Sequence, residues 1–146
     1  VPVQATILNL LKDLQRQLGV SYLYISHDLS VVRLMSDRVA VMYLGRIVEH
    51  ASSDDLFGSP RHPYTKALIE SIPDLTAPRT PAPLSGDLPD PGSPPRGCRF
   101  HSRCPVGPMF RPERTVCVER DPQLVAVAFD HGVACHFAEA DGEGTR

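Results

Sequence analysis

Proline divides this chain of 146 residues into two regions of different character. The chain contains 15 prolines, and more than half of them lie between residues 73 and 95. Because proline fixes φ and lacks a backbone N–H, this stretch is excluded from helix interiors and central strands. Residues 73–96 are therefore predicted to form an extended linker between residues 1–72 and a cysteine-containing segment at 97–138. The polar, glycine-rich tail at 139–146 is predicted to be disordered.

The first region opens with the spacing of an amphipathic helix. Its apolar residues recur in steps of three and four: Val3, Ile7, Leu10, Leu11, Leu14 and Leu18. Pro2 suits a first helical turn and Gly19 suits a helix end. A helix from Val3 to Leu18 is therefore predicted.

An apolar run then ends abruptly at one histidine. Residues 22–25 are apolar and aromatic, Ser-His-Asp follows, and a new periodic segment begins at Leu29. This order predicts a buried strand in a parallel sheet, with His27 at its carboxyl end and Asp28 capping the next helix. Ligands bind at such strand ends, and histidine exchanges a proton near neutral pH. A structural role is the commoner one for such a histidine, so the pattern alone leaves both roles open.

Residues 38–72 predict a hairpin and two helices. Arg38–Leu44 and residues 47–50 have the character of paired strands at a sheet edge. Ser53 is predicted to cap a short helix, and a further helix is predicted from Tyr64 to Ile72. We interpret Arg61–Thr65 as a turn, a helix start and surface residues.

All four cysteines lie in the second region, at Cys98, Cys104, Cys117 and Cys135. So short and loop-rich a segment can hardly bury a core of its own, which favours a metal centre. Their spacing, C-x5-C-x12-C-x17-C, fits neither the paired C-x2-C of a zinc ribbon nor the standard ferredoxin runs. The nature of the site is therefore open at this point.

Composition and missing motifs exclude several functions. The net charge of −2 argues against a nucleic-acid partner, and no apolar run approaches the roughly 20 residues of a membrane helix. The phosphate-cradling sequence Gly-x-x-x-x-Gly-Lys-Ser/Thr does not occur. The acidic strand end that would hold magnesium is missing too. The chain also begins with valine, so we expect it to be the C-terminal piece of a larger protein.

Four blocks resemble the ATP-binding subunits of ATP-binding-cassette (ABC) importers for oligopeptides and dipeptides. They are Val3–Leu11, Ile25–Leu29, Arg61–Leu68 and the cysteine segment from Gly97 to His136. The resemblance implies an α/β fold: the C-terminal part of an ABC-type P-loop ATPase sheet with flanking helices, followed by a loop-rich extension with the cysteines. Residues 1–72 would then be the ATPase part.

The same resemblance implies roles and partners. His27 would contact the ATP γ-phosphate and help to hold the attacking water. ATP and Mg²⁺ would bind only to the intact parent, since this piece lacks the Walker A and Walker B motifs and should be inactive alone. The implied partners are transmembrane permease subunits, a second ATP-binding subunit and, indirectly, a peptide-binding protein. The implied location is the cytoplasmic face of the cell membrane, as a peripheral protein.

For the cysteines, the resemblance implies a [4Fe–4S] cluster held by Cys98, Cys104, Cys117 and Cys135. A cytoplasmic compartment disfavours disulfides, which supports metal ligation. Zinc is the alternative metal, with three histidines as further possible ligands: His101, His131 and His136. Thiols without metal, or a redox-linked disulfide, also remain open.

Two rival functions are left by the sequence. The chain could be a stand-alone metal-binding interaction module that carries iron–sulfur or zinc. It could equally be part of the ATPase subunit of a nickel ABC importer, since the His-Pro-Tyr block occurs in that relative too.

Overall fold

The computed structural model of the chain describes residues 3–72, 84 and 86–138. They form two units, Val1–Asp37 and Arg38–Arg146. Most of the predicted linker and the whole predicted tail at 139–146 lie outside the described residues. The domain division made from the sequence therefore stays a prediction.

The first unit contains two helices that begin and end where local signals place them. Helix α1 spans Val3–Leu18, and Gly19 follows it with a φ of 63°, which a residue without a Cβ adopts easily. Helix α2 spans Leu29–Met35. The Asp28 side chain caps α2 by accepting hydrogen bonds from the backbone N–H groups of Ser30 and Val31. Both predictions from sequence are confirmed.

The buried strand predicted at residues 22–25 is wrong. These residues have no strand structure, and the side chains of Leu23 and Ile25 are 90% and 94% exposed. A strand forms only when a neighbouring strand accepts and donates its backbone hydrogen bonds, and a parallel neighbour must come from a distant part of the chain. Among the described residues, none pairs with this segment.

The second unit is built on a four-stranded sheet. Its strands are β1 (Arg38–Tyr43), β2 (Arg46–Ser52), β3 (Val125–Ala128) and β4 (His131–Val133). Their order in the sheet is β1-β2-β4-β3, and every neighbouring pair is antiparallel. The predicted α/β class is therefore confirmed for the described residues, but the predicted parallel arrangement is not what these strands adopt.

The predicted hairpin at the sheet edge is confirmed. Residues of β1 alternate between exposed and buried, as expected of a strand with one face on the core. Leu44 and Gly45 join β1 to β2, and both have positive φ. Positive φ at both central residues suits the two-residue turns whose twist matches that of the flanking strands. The turn sets the register of β1 on β2 next to it, and an irregularity between Val41 and Met42 shifts the register farther along the hairpin.

Short helices surround the sheet. Helix α3 spans Ser53–Gly58, with the hydroxyl of Ser52, not of Ser53, accepting from the N–H of Asp55. Helix α4 spans Pro63–Glu70. In the cysteine segment, a 3₁₀ turn at His101–Arg103 and the single turn of α5 at Val116–Glu119 precede β3.

The Arg61–Thr65 block lies in the core, which corrects its interpretation as surface residues. The turn and helix start are confirmed, because His62 Nδ1 accepts from the N–H of Tyr64 at 3.1 Å and caps α4. However, His62 and Thr65 are each only 1% exposed. The Tyr64 ring lies 4.7 Å from that of Tyr43 and 5.3 Å from that of Phe100, centroid to centroid. The block therefore joins the hairpin to the cysteine segment through packed aromatic rings.

Glu49 connects three parts of the second unit. Its carboxylate is fully buried. Oε1 accepts from the N–H of Arg61 and pairs with Nε2 of His131, each at 2.7 Å, and Oε2 accepts from the N–H of His62 at 2.9 Å. A buried carboxylate is costly unless its oxygens are satisfied, so all three contacts are needed to keep it in the core. Strand β2, the turn before α4 and strand β4 are thus tied to one side chain.

The Glu49→Gln substitution should lower the free energy of unfolding by about 1–3 kcal/mol. The amide of glutamine has one oxygen acceptor and one NH₂ donor. At least one of the three N–H groups that contact Glu49 would therefore face the NH₂ group in place of an acceptor. Urea denaturation followed by circular dichroism measures the change. The matched control is Glu113→Gln, since Glu113 is exposed. Equal unfolding free energies for the two variants would contradict this account of Glu49.

The buried His62 should make the second unit less stable in acid. Burial lowers the pKa of His62 from 6.5 to about 4, although the nearby charge of Glu49 acts in the opposite direction. The unfolded chain binds this proton below pH 6.5 and the folded chain only below about pH 4. Stability from neutral His62 is therefore complete above pH 6.5 and is lost as the pH falls from 6.5 to about 4, by about 3 kcal/mol at most.

The test compares unfolding free energies of the wild-type and His62→Asn chains between pH 7.5 and pH 4, as set by the two pKa values. Asparagine can still cap α4 through its side-chain oxygen but does not titrate. The difference between the two chains should shrink as the pH falls. Parallel pH profiles would show that His62 does not carry this dependence.

Candidate functional site

His27 lies in an exposed loop of the first unit. It sits immediately before Asp28, the cap of α2, and its side chain is exposed. The N–H of Asp28 donates to the hydroxyl of Ser26 at 3.0 Å. This hydrogen bond links the two residues that flank His27. Asp28 is thus occupied with capping, and His27 is presented at a helix start. Its catalytic role stays a prediction.

The four cysteines form the second candidate site, and the backbone brings two of them together. The N–H of Cys98 donates to the carbonyl of Cys117 at 2.8 Å. Gly97 makes this approach possible: it has a φ of 70°, and a Cβ there would lie 2.5 Å from the carbonyl oxygen of Cys117. Since contacts under 3.0 Å do not occur for real Cβ atoms, any side chain at position 97 would push the two cysteines apart.

The pKa values of the thiols indicate that the cysteines lie near one another. The pKa of Cys98 is raised to about 12, chiefly by burial and also by the charges of Cys135, Cys117 and Cys104. Burial likewise raises the pKa of Cys104 to about 11, again with contributions from Cys135 and Cys117. All four are free thiols. Sequence separations of up to 37 residues are therefore closed into one cluster.

Backbone amides point at three of the sulfur atoms. In each case the donor is the N–H of the residue two positions after the cysteine, and a hydrogen bond from it stabilises the thiolate form. The pairs are Phe100 to Cys98, Val106 to Cys104, and Phe137 to Cys135, the last at 3.5 Å. Amide hydrogen bonds to sulfur are a feature of metal-bound thiolates, whose electronic properties they tune.

A tight turn positions Cys104. The N–H of Gly107 donates to the carbonyl of Cys104 at 3.0 Å. A Cβ on Gly107 would lie 2.9 Å from the Cβ of Cys104 and 3.0 Å from the carbonyl oxygen of His101. The chain can therefore fold back on Cys104 only with glycine at position 107.

The three histidines proposed as zinc ligands are engaged in other contacts. His101 Nδ1 donates to the carbonyl of Cys98 at 2.8 Å, His136 Nε2 donates to the carbonyl of Arg120 at 2.9 Å, and His131 pairs with Glu49. One ring nitrogen of each histidine is thus occupied, and the choice between cysteine and histidine ligands stays a prediction. Within residues 3–72, 84 and 86–138, however, no three His, Cys, Asp or Glu side chains already stand in an arrangement that could hold a metal ion.

Sequence reasoning missed the buried residues that support the cysteine site. Glu49, His62 and Arg114 are among the buried polar residues of the second unit. A carboxylate in the middle of an otherwise apolar strand, Ile47-Val48-Glu49, was the available signal for the first. No comparable pattern marks Arg114, which lies among other arginines and prolines.

Comparison with known proteins identifies the region that contains the His-Pro-Tyr block and the first two cysteines. Residues 48–108 match the family model for the C-terminal region of oligopeptide/dipeptide transporters. These residues are therefore similar to an oligopeptide/dipeptide transporter C-terminal region. The recognition made from the sequence is confirmed.

Similarity to individual proteins extends over nearly the whole chain. The chain is 45% identical over 141 residues to the oligopeptide transport ATP-binding protein AppF of Bacillus subtilis, covering 94% of this chain and 41% of AppF. It is 47% identical to the dipeptide transport ATP-binding protein DppF of Escherichia coli, covering 97% of this chain and 41% of DppF. A probable peptide ABC transporter ATP-binding protein of Sinorhizobium fredii, y4tS, is 50% identical over 138 residues, 93% of this chain and 37% of that protein.

The chain thus spans about two fifths of the length of the curated relatives it matches. Among the described residues, no helix combines the length and the apolar character needed to cross a bilayer.

Proposed function

We propose that this chain is the C-terminal portion of the ATP-binding subunit of an ABC importer that couples ATP hydrolysis to oligopeptide or dipeptide uptake. The observation that carries the proposal is the 45–50% identity, over more than nine tenths of the chain, to proteins named as peptide-transport ATP-binding proteins. The intact subunit would bind ATP and Mg²⁺ through parts of the protein outside these residues. The chain alone, without a phosphate-cradling loop, should not turn over ATP.

The first unit supports this proposal through its exposed apolar surface. Helix α1 has no buried residue, and Leu23 and Ile25 are almost fully exposed. In the intact ATPase, neighbouring strands and helices would cover these apolar residues.

His27 would act on the reacting phosphate. From its position at the start of α2, it would contact the γ-phosphate and hold the attacking water, and the imidazole can accept or donate a proton near neutral pH. Phosphoryl transfer depends on positioning and charge stabilisation, which a single well-placed donor can supply.

The assembly would follow that of an importer. Two ATP-binding subunits would drive transmembrane permease subunits from the cytoplasmic face of the membrane, and a peptide-binding protein would deliver the substrate. No observation favours the nickel importer or a stand-alone metal-binding module.

The cysteine segment would add a metal centre to this subunit as a C-terminal extension. We propose that Cys98, Cys104, Cys117 and Cys135 hold a [4Fe–4S] cluster, with zinc as the alternative metal. The mutual proximity of the thiols and the amide hydrogen bonds to three of them support this proposal. Such a centre would supply a covalent brace for the loops, or sensitivity to redox conditions, while the chain's own thiolates and amides hold it.

The His27→Ala substitution in the intact subunit should lower kcat for ATP about 100- to 1,000-fold while leaving ATP affinity within a few-fold. Contacts made chiefly in the transition state appear in the rate constant and not in ground-state binding. Steady-state turnover and equilibrium nucleotide binding measure the two effects. Asp28→Asn is the matched control, since asparagine also caps helices. A His27→Ala subunit that turns over normally would assign His27 to structure.

The chain purified without oxygen should contain iron and acid-labile sulfide, and each of the four Cys→Ser changes should reduce both. Serine lacks the soft thiolate that iron and zinc prefer at such sites. His136→Asn is the control and should leave the content unchanged. Stoichiometric zinc without sulfide would move the proposal to zinc. An ordered segment free of every metal would end it.

A further inference from the structure

A buried arginine lies among the loops of the four-cysteine site. Arg114 is only 7% exposed. Its guanidinium lies 4.0 Å from the centre of the Phe137 ring, and its Nη1 donates to the carbonyl of Val106 at 2.9 Å. Its own carbonyl accepts from the N–H of Cys117 at 3.2 Å. Burying so strongly hydrated a group has a cost, so the surrounding contacts must repay it.

The contacts of Arg114 have a common feature. Val106 and Phe137 are the residues whose backbone N–H groups point at the sulfur atoms of Cys104 and Cys135. The third contact is to the backbone of Cys117 itself. The Arg114 side chain therefore holds two segments, which carry Cys104 and Cys135, next to its own segment, which carries Cys117.

The charge of Arg114 also suits this position. Four thiolates, or a cluster ligated by them, form an anionic centre in a partly buried environment, where a nearby cation is stabilising. Arginine suits this position better than lysine. The flat face of the guanidinium can stack on the Phe137 ring while its N–H groups donate hydrogen bonds sideways, as Nη1 does to Val106.

We propose that Arg114 is the positioning residue of the four-cysteine site. Its side chain fixes the segments that carry Cys104 and Cys135 against its own segment, which carries Cys117, and balances the negative charge of the ligated thiolates. The inference rests on the proposed metal centre for its charge-balancing part only. The positioning part holds for the metal-free chain as well, which allows the two to be tested separately.

The experiment compares the wild-type chain with Arg114→Met, Arg114→Lys and Arg111→Met. Methionine keeps much of the length of the arginine side chain and removes its charge and donors. Arg111, three residues earlier, is exposed and is the matched control. Two readouts are taken on the full, reduced chain: amide hydrogen exchange by NMR without metal, and Co²⁺ binding followed by thiolate-to-cobalt charge-transfer absorption.

In the metal-free chain, Arg114→Met should speed exchange at the amides of Val106 and Phe137 at least about tenfold. The Phe100 amide, which points at Cys98, serves as the internal reference. In the Co²⁺ titration, Arg114→Met should weaken binding about 10- to 100-fold, the usual effect of removing a group that supports metal ligands. Arg111→Met should match the wild type in both measurements.

Each outcome decides one of the two proposals. Wild-type exchange at Val106 and Phe137 in the Arg114→Met chain would overturn the positioning role. If the wild-type chain shows no thiolate-bound Co²⁺ while Arg114→Met still frees these two amides, the metal centre fails and the positioning role stands. Should Arg114→Met not fold, Arg114→Lys decides: it keeps the charge without the stacking, and wild-type protection of both amides in that chain would overturn the proposal.

Discussion

The buried carboxylate of Glu49 is the interaction on which the second unit depends. Its oxygens accept hydrogen bonds from two backbone N–H groups in the turn before α4, and one of them also pairs with the side chain of His131 in β4. Each of these donors would be costly to bury unpaired, and each is satisfied by the Glu49 carboxylate. The His-Pro-Tyr block is therefore buried because it supplies donors to a strand, and its aromatic ring then packs against Tyr43 and Phe100. The His-Pro-Tyr block, whose sequence is typical of a surface turn, therefore connects the hairpin to the cysteine segment.

Local signals predicted the parts of the fold that depend on local physics. The spacing of α1, the Asp28 cap and the hairpin of residues 38–50 each involve residues close in sequence, and all three were predicted correctly. The strand at residues 22–25 was not, because pairing depends on segments that are distant in the chain. The burial of His62 escaped prediction for the same reason, since its partner Glu49 lies 13 residues away in another element.

The candidate sites show the same division. The cysteines could be picked out as a cluster because their residue type is rare and chemically distinctive. Arg114 could not, since the contacts that give it a role come from residues 106 and 137, and its sequence neighbours resemble an ordinary polar loop. His27 was found by the abrupt change from apolar to polar residues. Helix α2, which was predicted to follow His27, is present in the structure. The strand predicted at residues 22–25 is not.

The order of strands in the sheet has a consequence for how the protein is made. Strand β4 lies between β2 and β3, so the neighbour of β2 is separated from it by the linker and most of the cysteine segment. During synthesis the hairpin emerges first, with Glu49 already on β2 and His131 still to be added. Until that happens the carboxylate has no imidazole to pair with, and water must solvate it. The unit can therefore close only after three of the four cysteines, Cys98, Cys104 and Cys117, have been synthesised, and their thiols remain exposed to the cell during that interval.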